Sequence, residues 1–366
     1  MTSGKLRSKP STIDIHRMIK TKYASCWGLQ VKTPTKVNVA KVGAMNWRKL
    51  FPTVTTNLLK PMMILDREKK APKLVIPDLD LRRMVNDDNI FRQNFCIRSY
   101  EIGPDRTATV ETLMNLFQET NAIHLKTFGF IDEDFSSAEM SEKNITWVMV
   151  KMQMIVDRYP TWGDIVQINT WKSAYGKNGG RSNFILCDAK TSEILGRASS
   201  FWVMMNRKTR KLSKFPNEIQ AKKEKYFVNT PPIVEQDTVT WSKRDATTED
   251  HICKGLLPRW SDLDFNQHVN NVKYIGWILE SVPKTILENY EIDNITLEYY
   301  RECTKDNVVQ SVTSILANHN GEIADDGVVH CQHLLQFEIS GGDIMKARTR
   351  WRPKYRKSEA ARAFVN

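Results

Sequence analysis

The sequence predicts an α+β protein built as a tandem repeat of one unit, an antiparallel sheet covering a long central helix. Two observations predict it. Within residues 90–357 each half runs as short strand, helix, then a meander of alternating strands. The halves also align directly: Arg158–Gln167 matches Arg301–Gln310 without a gap at an offset of 143, and the helices match at an offset of 161.

The first helix is expected over Glu111–Phe128, with the run Glu-Thr-Leu-Met-Asn-Leu-Phe-Gln-Glu-Thr. The second is expected over Val269–Val282, which sets Glu280 against Glu119. After the first helix, Ile145–Asp157 carries Val148, Val150, Met152, Met154 and Val156 at even positions. That alternation is the signature of a strand with one face in a core. The expected partition is a basic leader over 1–60, a linker over 61–89, halves at 90–228 and 229–357, and a tail over 358–366.

The net charge of +12 suggests a nucleic-acid partner, but its distribution argues against one. Residues 1–60 hold twelve Lys/Arg and one acid, a charge of +11, which leaves +1 for residues 61–366. That leader, rich in Ser, Thr, Lys and Val and nearly free of acids, has the composition of an organelle transit peptide. No run of 18 or more apolar residues occurs to suggest a membrane span. The six cysteines (26, 96, 187, 253, 303, 331) show no metal-ligand spacing and suit a reduced compartment. No metal and no cofactor is expected.

The most informative stretch runs from Arg259 to His268. Asp264, Asn266 and His268 stand at i, i+2 and i+4, immediately before the apolar period of the second helix. An acid, an amide and an imidazole at a helix start can serve acyl transfer, with amides at the helix start receiving an oxyanion. Under the two offsets these residues fall opposite Gly103, Asp105 and Thr107, and Glu302 falls opposite Tyr159. One half carries the reactive set; the other is free to bind. Asp262, Asn270 and Asn271 are expected to shape the helix start. His124, His319, His330 and His333 have no acid at suggestive spacing and read as structural.

Several ordered strings identify a family: Phe91-Arg-Gln-Asn-Phe, Ile97-Arg-Ser-Tyr-Glu-Ile-Gly, Tyr159-Pro-Thr-Trp-Gly-Asp, Trp202-Val-Met-Met-Asn, and Arg259 through Asn271. From about residue 60 to 357 the chain resembles plant plastid acyl-acyl-carrier-protein (acyl-ACP) thioesterases. Trp260-Ser261 before Asp262 is similar to the saturated-acyl (FatB-type) branch. The resemblance implies a tandem double hotdog, two antiparallel sheets each wrapped on a central helix. It also implies hydrolysis of fatty acyl-ACP to free fatty acid in the plastid stroma. The carrier protein is the implied partner, and a homodimer is left open.

By that resemblance the catalytic set is Asp264, Asn266, His268 and Glu302. Glu302 or Asp264 acts on water, or Asp264 attacks directly; Asn266 holds water or the carbonyl, and His268 orients a carboxylate or protonates the thiolate. Cys303 is a weaker candidate, since neighbours on a strand face opposite ways and Glu302 is preferred for the site. Glu280, twelve residues along from His268, is another. The family commonly has Gly-Arg-Asp-Ser where this chain has Thr304-Lys305-Asp306-Asn307, which predicts altered geometry and lower activity there. The apolar segment before the first unit is short, Pro61 to Ala71, and weakens any case for membrane association.

Methionine suits an acyl slot because its thioether adapts in shape, so Met149, Met152, Met154, Met204 and Met205 are candidate lining residues. Two basic clusters are candidates for carrier docking. One is the alternating stripe Arg348, Arg350, Arg352, Lys354 and Arg356; the other is Arg207, Lys208, Arg210, Lys211 and Lys214. The competing readings are an acyl-CoA thioesterase, a hydroxyacyl dehydratase and a non-catalytic acyl-binding protein.

Overall fold

The computed structural model describes residues 82–85, 89–234, 250–316 and 327–354. The leader, the tail, His319 and Arg356 lie outside the described residues. In chain order come β1 (Arg82–Val85), β2 (Ile90–Cys96), α1 (Val110–Thr127), α2 (Ala138–Glu142), β3 (Ile145–Val156), β4 (Ile165–Tyr175), β5 (Gly179–Asp188), β6 (Ile194–Asn206) and α3 (Asn217–Tyr226). The second half follows with β7 (Asp250–Leu256), a 3₁₀ turn (Trp260–Asp262), α4 (Lys273–Leu279), α5 (Lys284–Asn289), β8 (Tyr290–Tyr299), β9 (Val309–Leu316), β10 (Val329–Phe337) and β11 (Asp343–Pro353). The expected linker therefore contains a strand, β1, paired antiparallel with β2.

Among the described residues the eleven strands form one sheet, ordered β1-β2-β4-β5-β6-β3-β8-β11-β10-β9-β7. Setting β1 aside, the order reads the same from either end once each strand is matched to its repeat. The two expected sheets are thus joined edge to edge, β3 to β8, with Met152 opposite Leu297 and Ile155 opposite Asn294. Each repeat's exposed edge is covered by the other, which removes an unpaired row of backbone groups from solvent. One hydrophobic cluster, including Ile97, Leu113, Met154, Ile275, Ile295 and Trp351, runs through both halves.

The helices differ in length for local reasons. Thr109 caps α1 by accepting from Thr112 N (3.1 Å), and Gly129 ends the run at φ +68°. In the second half α4 covers only part of the expected span. Pro283 supplies no N–H to continue it, and the Ser281 hydroxyl turns back to Ile278 O (3.2 Å). Glu111 of α1 lies against Gly276 and 3.7 Å from Lys273 Nζ of α4, where the two helices approach.

Candidate active site

The turn Asp264–His268 is a backbone device that the chain uses twice. In the second half Asp264 N donates to His268 O (2.7 Å), Gln267 N to Asp264 O (2.9 Å), and Val269 N to Cys303 O (2.8 Å). In the first half Gly103 N donates to Thr107 O (2.9 Å), Arg106 N to Gly103 O (2.9 Å), and Ala108 N to Pro160 O (2.8 Å). Every pair obeys the offsets of 161 and 143. Even the strained positions agree, Arg106 at φ 64° and Gln267 at φ 62°. Bridges Thr107–Thr161 and His268–Thr304 complete the match.

Side chains then separate the two turns. Asp264 Oδ1 accepts the backbone N–H of Asn266 (2.8 Å) and of His268 (3.1 Å), so one carboxylate oxygen holds the turn shut. His268 Nε2 lies 3.4 Å from Glu302 Oε1, and Arg210 Nη2 reaches Glu302 Oε2 at 2.5 Å. In the first half, Asp105 at the Asn266 position is paired with Lys354 (2.7 Å). Tyr159 at the Glu302 position is buried and donates to Ile292 O (2.7 Å). Burial pushes that phenol's pKa up, and the carboxylate Glu291 adds to the effect. The first turn thus has no imidazole with a carboxylate beside it.

The segment Tyr300–Cys303 lies beyond the end of β8 rather than on a strand, yet Glu302 and Cys303 still point opposite ways. Glu302 lines the cavity; Cys303 is 0% exposed in the core. Burial pushes the Cys303 thiol up to about 12. A thiol held neutral and out of the cavity is a poor nucleophile. Cys303→Ser should therefore keep kcat within about threefold, and iodoacetamide should leave the rate unchanged; rapid inactivation traced to Cys303 would contradict this.

The altered segment after Cys303 is ordered by its own residues. Asn307 Oδ1 accepts from Thr304 N (2.7 Å) and Thr304 Oγ1 (3.0 Å). Asp164 does the same for Thr161 in the first half, at the same two distances. The Thr304–Asn307 turn thus repeats the Thr161–Asp164 turn of the first half, an amide oxygen standing where that turn has a carboxylate oxygen.

Most amides at the helix start already have an acceptor, whereas Asn271 N, at the cavity wall, donates to no group among the described residues. Val269 N is bonded to Cys303 O, Asn270 N to Asp262 O (2.8 Å), Val272 N to Asn270 Oδ1 (3.0 Å) and Lys273 N to Asn270 O (2.9 Å). Asp262 and Asn270 thus shape the turn, Asp262 also accepting from Arg259 N (2.7 Å).

A cavity of about 750 Å³ joins this site to the first half. Asp264, Asn266, His268, Glu302, Arg207 and Arg210 stand at one part of its wall; Leu125, Phe130, Trp147, Met149, Trp202 and Met205 line the rest. Phe265 stacks on Phe135 across the halves (4.8 Å between centroids, 15° between planes), and both rings are at the cavity wall. A small void beyond it shares Met149 and Trp202 and reaches Met152, Phe117 and Phe184.

Other expected residues lie elsewhere. Met154 and Met204 line neither space: Met154 is in the main core, and Met204 packs with Phe130, Met140 and Ile219 in a second cluster. A bulge in β3 between Met149 and Lys151 shifts the alternation, so odd-numbered Met149 and even-numbered Met152 line the same small void. Glu280 is exposed at the C-terminal end of α4 and is not part of the cavity wall. The Arg stripe of β11 is largely neutralised by acids, Arg350 pairing with Asp293 (2.8 Å) and Arg352 with Glu291 (2.7 Å). Those acids sit on β8, a sheet neighbour that sequence order does not reveal. Sequence reasoning also missed that Arg210 braces Glu302, since a charge in a basic hairpin reads as solvated surface.

His124 and His333 are buried and structural. His333 bonds Thr313 (2.8 Å) and Thr349 (2.7 Å), and burial lowers its pKa to about 3. Among the described residues no group of His, Cys, Asp and Glu is placed to hold a metal ion, and no helix is long and apolar enough to cross a membrane.

Comparison with known proteins agrees with this geometry. The family models for the acyl-ACP thioesterase N-terminal and C-terminal domains match residues 88–223 and 245–353. A chloroplastic palmitoyl-acyl carrier protein thioesterase of Gossypium hirsutum is 49% identical over 319 residues, covering 86% of this chain and 77% of the relative. One of the same name from Cuphea hookeriana is 45% identical, covering 96% and 90%. The 12:0-ACP thioesterase structure from Umbellularia californica superposes with a TM-score of 0.67 at 42% identity, over 73% of this chain and 95% of that one. An acyl-ACP thioesterase structure from Bacteroides thetaiotaomicron, 21% identical with a TM-score of 0.57 over 74% and 100%, shares the fold. With both halves matched in order, and relatives at nearly half identity along most of its length, the chain belongs to the acyl-ACP thioesterase family.

Proposed function

We infer that this chain hydrolyses the thioester of fatty acyl-ACP in the plastid, releasing free fatty acid and ending chain elongation. The observation that carries the reading is the meeting of Glu302 with His268 and Asn266 on the wall of one long cavity. A carboxylate 3.4 Å from an imidazole can take a proton from water while the imidazole delivers one to the leaving thiolate. Glu302 is taken as the base because its Oε1 stands 3.4 Å from His268 Nε2, whereas Asp264 Oδ1 holds two backbone amides of the turn. The oxyanion is received by the Asn266 amide and by His268 or Arg210. In the balanced step, water oxygen bonds to the acyl carbon, the C–S bond breaks, and the carrier thiol leaves with the proton.

The apolar wall of the first half takes the acyl chain, and saturated chains are the favoured substrates. Full-length protein incubated with palmitoyl-ACP should yield free thiol and palmitate in equal amounts. A hydroxyacyl-ACP turned to enoyl product with no thiol released would favour the dehydratase reading instead.

The carrier protein docks at the hairpin carrying Arg207, Lys208, Arg210 and Lys211. Lys208 and Lys211 are exposed and pair with no acid among the described residues, while Arg207 and Arg210 line the cavity. Free positive charge beside the entrance suits an acidic carrier and its phosphate-bearing arm. Reversing both lysines to Glu should raise KM for acyl-ACP about five- to tenfold and leave a small acyl thioester unaffected. An equal change for both substrates would remove the docking role.

A further inference from the structure

One polar cluster lies in the part of the cavity meant for methylenes. The inward face of β4 reads Val166, Ile168, Thr170 and then Lys172. Lys172 is 2% exposed, and no ion pair involves it among the described residues. Its Nζ donates to Asn121 Oδ1 of α1 and to Ser182 Oγ of β5 (3.0 Å), and Ser182 Oγ donates to Asn121 Oδ1 (2.7 Å). All three residues line the same cavity as Glu302, and Gln118, one turn earlier on α1, lines it too.

The cluster is incomplete. Asn121 is 5% exposed, and its carbonyl oxygen takes both bonds, while its amide nitrogen donates to no group among the described residues. A plain hydrocarbon chain would cover that donor without satisfying it, which is costly in a buried site. An oxygen on the ligand would accept from it. Burial holds Lys172 well below its usual pKa range, so with both amine N–H bonds spent its nitrogen keeps a lone pair that accepts from a ligand hydroxyl.

Sheet register sets the distance. Lys172 pairs with Ser182, Ser182 with Ser200, Ser200 with Met152, and Met152 with Leu297 of β8, two residues before Tyr299 at the reactive end. Four strand steps amount to about 19 Å along the sheet, and this is an upper bound, because the sheet wraps on α1 and Asn121 and Tyr299 line one small void. An acyl chain with its thioester at Glu302 passes the cluster within that length.

Resting on the thioesterase reading above, we propose that Lys172, Asn121 and Ser182 form a recognition site for a hydroxyl or keto oxygen on the acyl chain. The preferred substrates would then be oxygenated fatty acyl-ACPs.

The test measures calorimetric binding of hexadecanoic acid and of hydroxy and keto derivatives, the oxygen stepped along the chain, to full-length protein. Lys172→Met, Asn121→Leu and Ser182→Ala are measured beside it, with kcat/KM on the matching acyl-ACPs. Wild type should bind at least one of the oxygenated acids about tenfold tighter than the plain acid, and the substitutions should erase that difference. Response to hydroxyl alone or keto alone identifies the oxygen taken; either supports the site. Equal binding of plain and oxygenated acids by wild type, or a preference that survives all three substitutions, overturns it. Ser182→Ala, the mildest change, carries the comparison if the others fail to fold. Selective binding without cleavage of any acyl-ACP would sink the hydrolase reading and leave this site standing; cleavage of plain acyl-ACP without oxygen selectivity would do the reverse.

Discussion

Glu302→Gln should lower kcat on palmitoyl-ACP by about 10²- to 10⁴-fold with KM changed less than about threefold. Glutamine keeps the shape and still offers an oxygen to Arg210, which holds Glu302 Oε2 at 2.5 Å, so the braced geometry survives. What it loses is the ability to take a proton beside His268. A loss confined to kcat is the mark of a group acting in the chemical step. Should the variant instead show a raised KM and an intact kcat, Glu302 would be a binding residue, and the base would have to be sought at Asp264.

The second large effect concerns the cavity. Met149 lines both the main cavity and the small void beyond it, where Phe117, Met152 and Phe184 close the space. Met149→Trp adds ring volume at that passage, so kcat/KM for palmitoyl-ACP should fall by at least about tenfold. Activity on chains several carbons shorter should fall less than about threefold, since they end before the obstruction. Met154→Trp is a contrasting change, because Met154 is in the closed core and the substitution should unfold the protein rather than retune it. An unaltered chain-length profile in a folded Met149→Trp enzyme would place the acyl chain elsewhere.

The duplication was legible to a degree that hydrogen bonds make plain. Offsets of 161 and 143, found from Glu119/Glu280 and from Arg158/Arg301, relate the turn at Gly103–Thr107 to that at Asp264–His268 bond for bond. The signal was strong because both turns rest on backbone bonds, which constrain spacing more tightly than side-chain identity. The candidate site was legible for the same reason: Asp264, Asn266 and His268 occupy a turn whose copy stands beside it in the sequence.

What was hidden depends on neighbours distant along the chain. Nothing within either repeat announces that β3 and β8 join their sheets, because a strand edge has no sequence of its own. The stripe of β11 looked like free charge until Asp293 and Glu291 of β8 came opposite it. Arg210 was read as surface and sits on Glu302 instead, 92 residues away in sequence. Lys172 is a different case. Its period-two position after Val166, Ile168 and Thr170 already placed it inward, and only the habit of reading lysine as solvent-facing concealed it. The oxyanion role expected of the helix start is narrowed to the Asn271 amide, since those of Val269, Asn270, Val272 and Lys273 already have acceptors.

The most direct measurement is a double-mutant cycle on kcat with palmitoyl-ACP, using Glu302→Gln, His268→Asn and the two together. Groups that move one proton as a unit lose their function once, so the double variant should be within about threefold of the slower single variant. A double variant slowed by the full product of the two single effects would mean that Glu302 and His268 act independently, and would contradict the shared hydrolytic centre.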